Sequence, residues 1–463
     1  MSLAPDNVRS RAAALPYRTD TIVALATPPG RGGLAVVRLS GPKSLAWAGK
    51  MCTAPLAANP RHAFHGAVTA PDNGPALDSG VITYFQAPAS FTGEDVVEFS
   101  IHGGYVTPRE VIRHLVRLGA RQAEPGEFSM RAFLNGKMDL AEAEALNEVI
   151  TSLSRRGQQA ATYKLSGGLS REINRMRASL LRLLTLLEHE LDFSEDELDA
   201  TTHADIRKAL APVAEQVRHL QATAPYGRIL RDGVRIILAG PPNAGKSSLF
   251  NALVGHEQAI VADLPGTTRD SLEAWIDIAG FPVCLVDTAG LQDTSDVLDR
   301  AGVERSRQQL AAADIVLLLD PDDPAAATLD AALDLDDERP PALLQVHSKR
   351  DTDGDPPAAD GPIPVSVRRD NGLDLLLARL AQVLSDHLPA EDGAVVSSER
   401  QLAGLELALQ QIESAVEQLD AGQSIDVISS EIRLAMDSLA NIIGEVPNEE
   451  VLQRIFSEFC VGK

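Results

Sequence analysis

The sequence predicts a multidomain α+β protein: a small N-terminal α+β domain, an all-α helical domain, and an α/β domain inserted into the helical one. The hydrophobic pattern changes twice, to helical spacing at about residue 138 and to strand-like runs at residue 234. Helical patterns return after about residue 388, so two helical stretches bracket one α/β stretch. A phosphate-binding motif at 240–247 identifies the inserted part. Exposed loops between helices tolerate such insertions.

Composition limits the classes of function. A chain of 463 residues is too long to fold around one ordinary hydrophobic core. Its 42 basic and 65 acidic residues give a net charge of −23. So acidic a surface does not bind nucleic acid by bulk electrostatics, and any such contact is local or made through a partner. Three scattered cysteines exclude a disulfide framework and a zinc site. With no signal-peptide core and no membrane-length apolar run, we expect a cytoplasmic protein without a membrane.

The predicted domain boundaries follow the changes of pattern. The N-terminal domain takes residues 1–137, the inserted domain 232–387, and the helical domain the two parts 138–231 and 388–463. Alternation and β-branched residues predict N-terminal strands at 21–26, 34–39, 81–85 and 96–101, followed by a helix at 108–118. Leu140, Ala143, Leu146, Ile150 and Leu153 share one helical face. Further helices are predicted at 169–192, 204–221, 398–420, 424–443 and 448–459.

The phosphate-binding motif is Gly240-Pro-Pro-Asn-Ala-Gly-Lys-Ser247. It follows the predicted strand 234–239 and opens the predicted helix 248–253, which is the context that a P-loop requires. Glycines let backbone N–H groups surround phosphates, and the helix N-terminus favours negative charge. In this motif Lys246 contacts the β- and γ-phosphates, and the hydroxyl of Ser247 binds Mg²⁺.

Two further segments complete a switch domain. Asp287-Thr-Ala-Gly290 ends a predicted strand, where the carboxylate can hold Mg²⁺ through water and the Gly290 N–H can sense a γ-phosphate. Gly266-Thr-Thr-Arg-Asp270 precedes that strand, and Thr268 is the residue expected to complete the Mg²⁺ shell. The order of the three segments predicts that the inserted domain is an α/β P-loop GTPase (Ras-like) domain.

The choice of base follows from Ser348-Lys-Arg-Asp351, which stands where G proteins carry Asn-Lys-x-Asp. Asp351 can accept from the N1–H and amino groups of guanine, which adenine does not offer. Ser348 replaces the usual Asn, so we expect guanine selectivity with reduced affinity. Pro364-Val-Ser-Val367 stands where a loop covers the base. Leu291 stands where Ras-type proteins place a water-orienting Gln, so hydrolysis must be organised differently.

The whole chain from residue 21 onward resembles the MnmE (TrmE) family of tRNA-modification GTPases. Besides the P-loop with Asn243 and the Gly-Thr-Thr-Arg-Asp segment, the resemblance rests on six motifs. These are Ala26-Thr-Pro-Pro-Gly-Arg-Gly-Gly33, Phe91-Thr-Gly-Glu-Asp95, His102-Gly-Gly104, Pro125-Gly-Glu-Phe128, Arg131-Ala-Phe-Leu-Asn-Gly-Lys137 and Phe459-Cys-Val-Gly-Lys463.

The resemblance implies a fold and a reaction. The N-terminal domain would resemble folate-binding proteins and form a homodimer. With the FAD protein MnmG, in a heterotetramer-type complex, members add an aminomethyl or carboxymethylaminomethyl group to C5 of the wobble uridine, U34, of certain tRNAs. The one-carbon unit comes from a reduced folate, 5-formyl- or methylene-tetrahydrofolate. The complex makes most of the tRNA contact, and K⁺ with paired G domains stimulates GTP hydrolysis.

The resemblance also implies a nucleotide site. Asn243, Thr267 and the carbonyls of Ala262 and Leu264 would hold K⁺, while Ser247 and Thr268 would hold Mg²⁺. Lys246 would act in catalysis with Asp299, which stands one methylene short at the position of the family's water-positioning Glu. Asp296 is the alternative, or hydrolysis is slow. The remaining residues expected around GTP or GDP are Ala244, Gly245, Ser248, Asp263, Pro265, Gly266, Asp287, Thr288, Ala289, Gly290, Ser348, Lys349, Asp351, Ser366 and Val367.

A second implied site binds folate through Arg38, Glu98, Lys137 and Lys463. Cations suit the glutamate tail and a carboxylate suits the pterin edge. Without the resemblance, Arg38 and Glu98 would be interpreted as exposed strand positions. Cys460 lies in the implied tail near this site; alternatives are a buried small hydrophobe or a prenylation signal, and a role for its thiol stays open.

Three interpretations remain beside these. A ribosome-assembly GTPase of the Era or Der type shares the Gly-Thr-Thr-Arg-Asp segment, although this chain has one P-loop and an acidic balance. Arg109, Arg113, Arg117 and Arg121 recur every four residues, as a solvated face or as a contact for tRNA or a partner. His102 is interpreted as structural or pocket-lining.

Overall fold

The computed structural model describes residues 19–72, 74–192, 203–256, 272–287, 312–322, 341–349, 361–369, 371–386, 393–445 and 449–462. The chain divides into two compact units. The first, here the N-terminal unit, comprises Met1–Asn147, Ser170–Thr201 and Ala421–Lys463. The second, here the P-loop unit, comprises Glu148–Leu169 and Thr202–Asp420.

The N-terminal unit is built on a six-stranded sheet. Its strands are β1 (Ile22–Leu25), β2 (Ala35–Ser40), β3 (Ala63–Thr69), β4 (Ala76–Phe85), β5 (Val96–Ile101) and β6 (Arg121–Gln122). They lie in the order β3-β4-β5-β2-β1-β6, antiparallel except for the β1–β6 pair. The four predicted strands are confirmed, and β3 and β6 are additional. One face carries alternating buried residues, among them Val37 and Leu39, that pack against Val111 and Leu115 of a covering helix.

The described helices, in chain order, are α1 (Ser44–Ala48), α2 (Thr107–Arg117), α3 (Glu127–Leu134), α4 (Leu140–Thr151), α5 (Arg155–Leu165), α6 (Gly168–Asp192), α7 (His203–Ala222), α8 (Ala224–Asp232), α9 (Lys246–His256), α10 (Leu373–Asp386), α11 (Glu399–Asp420), α12 (Ile425–Ile442) and α13 (Glu449–Ser457). Most predicted helices match within two residues. Leu153 is an exception, since α4 ends at Thr151. Extended Ser154 starts α5, its hydroxyl accepting from the Gly157 N–H at 3.1 Å.

The P-loop unit contains the second six-stranded sheet. Its strands are β7 (Val234–Ala239), β8 (Leu272–Ile278), β9 (Phe281–Asp287), β10 (Ile315–Asp320), β11 (Ala342–His347) and β12 (Ile363–Pro364). The order is β12-β11-β10-β7-β9-β8, parallel throughout except for the β8–β9 hairpin. Nearly continuous apolar runs in β7, β9 and β10 are buried on both faces, as parallel strands require. The predicted α/β P-loop fold is confirmed.

Packing accounts for several sequence features. Arg109, Arg113 and Arg117 are exposed on α2, and Arg113 pairs with Glu110 at 2.8 Å. Arg121 departs from this face because it lies in β6 and donates to Asp20 at 2.7 Å.

Within the described ranges, no helix combines the length and the apolar composition of a membrane-spanning segment.

Candidate functional site

The nucleotide motifs gather at one edge of the second sheet. In parallel strands the carboxyl ends meet at the same edge, and ligands of open α/β sheets bind there. β7 runs into the P-loop, and Leu238 of β7 pairs with Asp287 at the end of β9. β10 ends at Asp320, which pairs with His347 of β11, directly before Ser348. The topology thus brings together the phosphate motif, the Asp287 carboxylate and the base-recognition segment.

The P-loop adopts a backbone that needs its glycines. Gly240 has φ +143°, and a Cβ there would lie 2.1 Å from the carbonyl oxygen of Leu319. Gly245 has φ +97° with open space around it, so its conformation alone favours glycine. Asn243 lies between them with φ +61°, a left-handed conformation that Asn tolerates. Its side chain is exposed.

Lys246 lies in the first turn of α9 and is buried. Its Nζ donates to the carbonyl oxygens of Gly240 at 2.9 Å and Pro241 at 3.0 Å, so the ammonium group is held across the loop. Burial lowers the pKa of Lys246, and the negative charge of Asp287 partly offsets this effect. The ammonium and the fully buried carboxylate therefore interact at the phosphate edge.

The base-recognition segment is described in part. The Ser348 N–H donates to the Asp320 carbonyl at 3.1 Å, and the Ser348 hydroxyl is buried without a hydrogen-bond partner among the described residues. Lys349 is exposed with φ +58°. The backbones of Ser366 and Asn371 exchange hydrogen bonds of 2.9 and 3.1 Å, which closes the neighbouring loop. Asn371 was missed by the sequence analysis, although Asn-Gly at 371–372 is a turn signal.

Several predicted residues of the nucleotide site lie outside the described ranges. They are Ala262, Asp263, Leu264, Pro265, Gly266, Thr267, Thr268, Thr288, Ala289, Gly290, Leu291, Asp296, Asp299 and Asp351. Ser247, half-buried, and Ser248, exposed, lie in the first turn of α9, and Ala244 is buried in the loop before it. Val367 is exposed and begins a short 3₁₀ turn.

A second cluster of polar groups forms in the N-terminal unit around Arg38 and Glu98. The two residues face each other across β2 and β5, with Arg38 Nε donating to Glu98 Oε1 at 2.8 Å. Their side chains are 20% and 23% exposed, so the interpretation as exposed strand positions is wrong. They are on the sheet face opposite Val37 and Leu39, because neighbouring side chains of a strand alternate.

Two aromatic rings and the end of the chain complete this cluster. The Arg38 guanidinium carbon lies 5.2 Å from the centroid of the Phe91 ring and 5.6 Å from that of Phe128. Arg38 Nη1 donates a long hydrogen bond of 3.5 Å to the Gly462 carbonyl. The rings were missed by the sequence analysis, although each lies in a quoted motif.

The C-terminal segment is seated tightly beside the cluster. Val461 forms a bridge with Pro125, and a Cβ on Gly462, whose φ is +96°, would lie 2.2 Å from the Leu25 carbonyl oxygen. Cys460 is exposed, which rules out the interpretation as a buried hydrophobe. Lys463 lies outside the described residues.

Lys137 lies at the loop that carries Phe91. Its Nζ donates to the Pro88 carbonyl at 3.0 Å, and its aliphatic carbons lie close to Gly93. The ammonium is exposed and can reach a ligand in water. Among the predicted residues, the structure brings Arg38 and Glu98 into direct contact and links Lys137 to them only through this loop.

A buried ionic network supports the loop and α3. Arg131 is 2% exposed and contacts the carboxylates of Asp20, Glu94 and Glu127. Arg131 Nη2 donates to Asp20 at 2.7 Å and to Glu127 at 2.9 Å. Such buried charges need several partners, which this network supplies.

His102 lies outside that network. Its ring Nδ1 is 2.8 Å from Asp78 Oδ1, and its backbone N–H donates to Asp78 Oδ2 at 2.9 Å. Burial would raise the pKa of Asp78, but these hydrogen bonds and one from the Ser79 N–H lower it overall. This pairing is consistent with the structural interpretation of His102.

Comparison with known sequences decides the family. The sequence model of the MnmE helical domain matches residues 140–460, and that of the GTP-binding protein TrmE N-terminus matches residues 21–137. The chain belongs to the MnmE family of tRNA modification GTPases. The MnmE of Neisseria meningitidis serogroup C is 41% identical over 450 residues, covering 96% of this chain and 99% of the relative. The MnmE of Laribacter hongkongensis is 42% identical over 454 residues, covering 96% and 100%.

The family confirms the resemblance on which the sequence analysis relied. As an MnmE protein, the chain is a GTPase that takes part in tRNA modification, with a G domain that binds GTP and GDP. A solved G domain, that of the T. maritima FeoB iron transporter, matches 33% of this chain and 98% of that chain at 24% identity, with a TM-score of 0.24. At this TM-score the match adds nothing to the fold described above.

Proposed function

We propose that the chain is the GTP-hydrolysing component of a complex that adds an aminomethyl or carboxymethylaminomethyl group to C5 of the wobble uridine. In this proposal a reduced folate supplies the one-carbon unit, and the FAD protein MnmG is the partner. The observation that carries the proposal is the Arg38–Glu98 pair, which lies beside two phenyl rings in the N-terminal unit.

The residue types in this cluster suit a reduced folate. A pterin is flat and carries an amino group and ring N–H groups, so it can pack on the half-buried Phe91 ring and donate to the Glu98 carboxylate. The glutamate tail of the folate is anionic and can be bound by Lys137 and Lys463, while Arg38 stays paired with Glu98. The Glu98 carboxylate would be a preorganised hydrogen-bond acceptor for the pterin, since Arg38 already orients it.

At the nucleotide site, the donor sets fit the expected cations. The hydroxyls of Ser247 and Thr268 would ligate Mg²⁺, with the buried Asp287 carboxylate behind them. Asn243 and Thr267, with the carbonyls of Ala262 and Leu264, would hold K⁺. A cation there stabilises charge that develops on the transferred phosphoryl group. Asp299 would position the attacking water, and Lys246 would neutralise phosphate charge.

The proposed assembly is a homodimer through the N-terminal domain, joined to MnmG, with tRNA held largely by the complex. The net charge of −23 supports this division of labour because tRNA phosphates are repelled by most of the surface. The proposed domains remain 1–137, 138–231, 232–387 and 388–463. Sedimentation at micromolar concentration tests the dimer, and a strict monomer would contradict it.

The deciding experiment is a calorimetric titration of the full chain with 5-formyltetrahydrofolate. We expect one folate per chain, with binding weakened about tenfold by Lys137→Ala because a charged hydrogen bond is lost. The matched control is Lys50→Ala, another exposed lysine of the N-terminal unit. Absence of binding would overturn the one-carbon role. Nothing in the described residues favours the alternative ribosome-assembly switch.

A further inference from the structure

The turn of the β8–β9 hairpin contacts the N-terminus of α5. The carboxylate of Asp277, at the end of β8, accepts from the Arg155 N–H at 3.0 Å through Oδ2 and from the Gly280 N–H at 2.6 Å through Oδ1. The Arg156 N–H donates to the Gly280 carbonyl at 3.2 Å. One carboxylate therefore joins the hairpin turn to the first turn of the helix, where a negative charge is favoured.

The side chain of Arg156 strengthens this contact. Its guanidinium carbon lies 4.5 Å from the centroid of the Phe281 ring, and Phe281 is fully buried in the core of the P-loop unit. Gly280 has φ +89°, and a Cβ there would lie 2.7 Å from Arg156 Cγ. The hairpin turn and Arg156 thus fit against each other without spare space.

The opposite end of the same hairpin meets the nucleotide motifs. Leu272 at the start of β8 pairs with Asp287 at the end of β9, about 20 Å from the turn for a seven-residue strand. In the sequence, Gly266-Thr-Thr-Arg-Asp270 immediately precedes β8, and Thr288-Ala-Gly290 immediately follows β9. Every residue of β9 is buried, so the strand is packed along its whole length.

The far end of α5 is also fastened. Lys164, 1% exposed, hydrogen-bonds through Nζ to the Ser397 hydroxyl and the Glu148 carboxylate, and the Ser397 hydroxyl donates to Glu148 at 2.5 Å. Arg231 of α8, the helix that leads into β7, donates to the Ser397 carbonyl at 2.6 Å. Hence α5 joins the hairpin turn to the segment where the chain leaves the α/β part and enters α11.

We propose that Asp277 and Arg156 are positioning residues for GTP hydrolysis, through which α5 and the nucleotide edge influence each other. By holding the turn on α5, they limit how far β8 and β9 can slide, and so where the Asp287 carboxylate at the end of β9 comes to lie. A densely packed strand passes a shift at one end to the other. Because coupling is reciprocal, the nucleotide bound at the edge alters the stability of α5. The proposal rests on the GTPase activity of the family.

The test uses the full chain and the double variant Asp277→Ala with Arg156→Ala. The first readout is steady-state GTP hydrolysis. We expect at least a threefold change in kcat with KM and GDP affinity unchanged, because no P-loop or base contact is altered. Asp277→Asn, which keeps one acceptor oxygen, should recover part of the kcat change. Arg228→Ala on α8 is the control, since its side chain is 78% exposed and lies 3.9 Å from Asp232.

The second readout is hydrogen exchange of the α5 amides with GDP and with a non-hydrolysable GTP analogue bound. In the unaltered chain we expect exchange to differ at least threefold between the two nucleotides, and in the double variant we expect this difference to vanish. The inference would be overturned if the double variant kept both its kcat and the difference in α5 exchange rate between the two nucleotides. It would also be overturned if the α5 exchange rates of the unaltered chain were the same with both nucleotides. If the unaltered chain binds no fluorescent GDP, the GTPase activity itself is contradicted, and the inference fails with it.

Discussion

Arg38 Nε donates to Glu98 Oε1 across neighbouring strands although the two residues are 60 positions apart in the chain. This contact predicts that Arg38→Met weakens binding of 5-formyltetrahydrofolate by tenfold or more, because one charged hydrogen-bonding partner is lost and Glu98 is left unpaired by it. Calorimetric titration of the full chain measures the change. Arg117→Met, at an exposed position of α2, is the control. Equal affinities for Arg38→Met and the unaltered chain would contradict the folate site.

The buried hydroxyl of Ser348 leads us to expect that an asparagine at this position raises the affinity for GDP. The hydroxyl is buried without a hydrogen-bond partner among the described residues and stands at a position where G proteins carry Asn. Ser348→Asn should tighten binding of fluorescent GDP two- to tenfold, since a longer amide restores about one hydrogen bond. Ser348→Ala should leave the affinity nearly unchanged. Weaker binding by Ser348→Asn would show that the segment has adapted to serine.

We expect substitutions of Asp299 to change kcat for GTP hydrolysis. In the proposed mechanism Asp299 positions the attacking water with a carboxylate one methylene shorter than that of Glu. On this proposal, Asp299→Glu should raise kcat for GTP several-fold in a K⁺ buffer, and Asp299→Ala should lower kcat because the water is no longer positioned. Steady-state phosphate release measures both. An unchanged rate in Asp299→Ala would exclude this residue, and Asp296→Ala would then be the variant to test.

The ionisation of Glu127 makes the free energy of unfolding depend on pH. Burial would raise the pKa of its carboxyl, but hydrogen bonds from Arg121, the Glu124 N–H and Arg131 lower it below the usual 4.5. Its ionised form therefore stabilises the fold above about pH 4.5, and this stabilisation is lost as the pH falls through the folded-state pKa. Urea unfolding at pH 7 should show Glu127→Gln to be about 3 kcal/mol less stable.

The same variant should lose less stability than the unaltered chain between pH 7 and pH 3.5, because the group that titrates has been removed. Glu110→Gln is the control, because Glu110 lies on the surface of α2, where its carboxylate pairs with Arg113 at 2.8 Å. If both variants and the unaltered chain respond to acid alike, Glu127 does not supply the pH dependence.

The P-loop was predictable because its determinants are local. A buried strand, a glycine-rich turn and a helix follow one another within some twenty residues, and Gly240 and Gly245 adopt positive φ angles, which favour glycine. The parallel strands then bring the motifs together, because their carboxyl ends meet at one edge of the sheet. Asn371 escaped prediction because its turn matters only once β12 lies beside β11.

Other relationships were not predictable, since a charged residue in a strand or helix has the same local pattern whether it is exposed or paired. Arg121 continues the four-residue spacing of α2, yet the chain turns into β6 and the side chain pairs with Asp20 and Glu127. Lys164 lies on a polar helix, yet it is buried against Glu148 and Ser397. Such partners are distant in sequence and are set by packing.

By itself, the sequence determined most strands and helices, the phosphate-binding loop and the family, because spacing, turn residues and motifs act over short distances. The tertiary structure alone decided that Arg38 lies beside Phe91, Phe128 and the Gly462 carbonyl, and that the β8–β9 turn binds α5 through Asp277. Alternation in a strand specifies a face but not what covers it. The covering groups are selected by burial of the whole core, which no local pattern records.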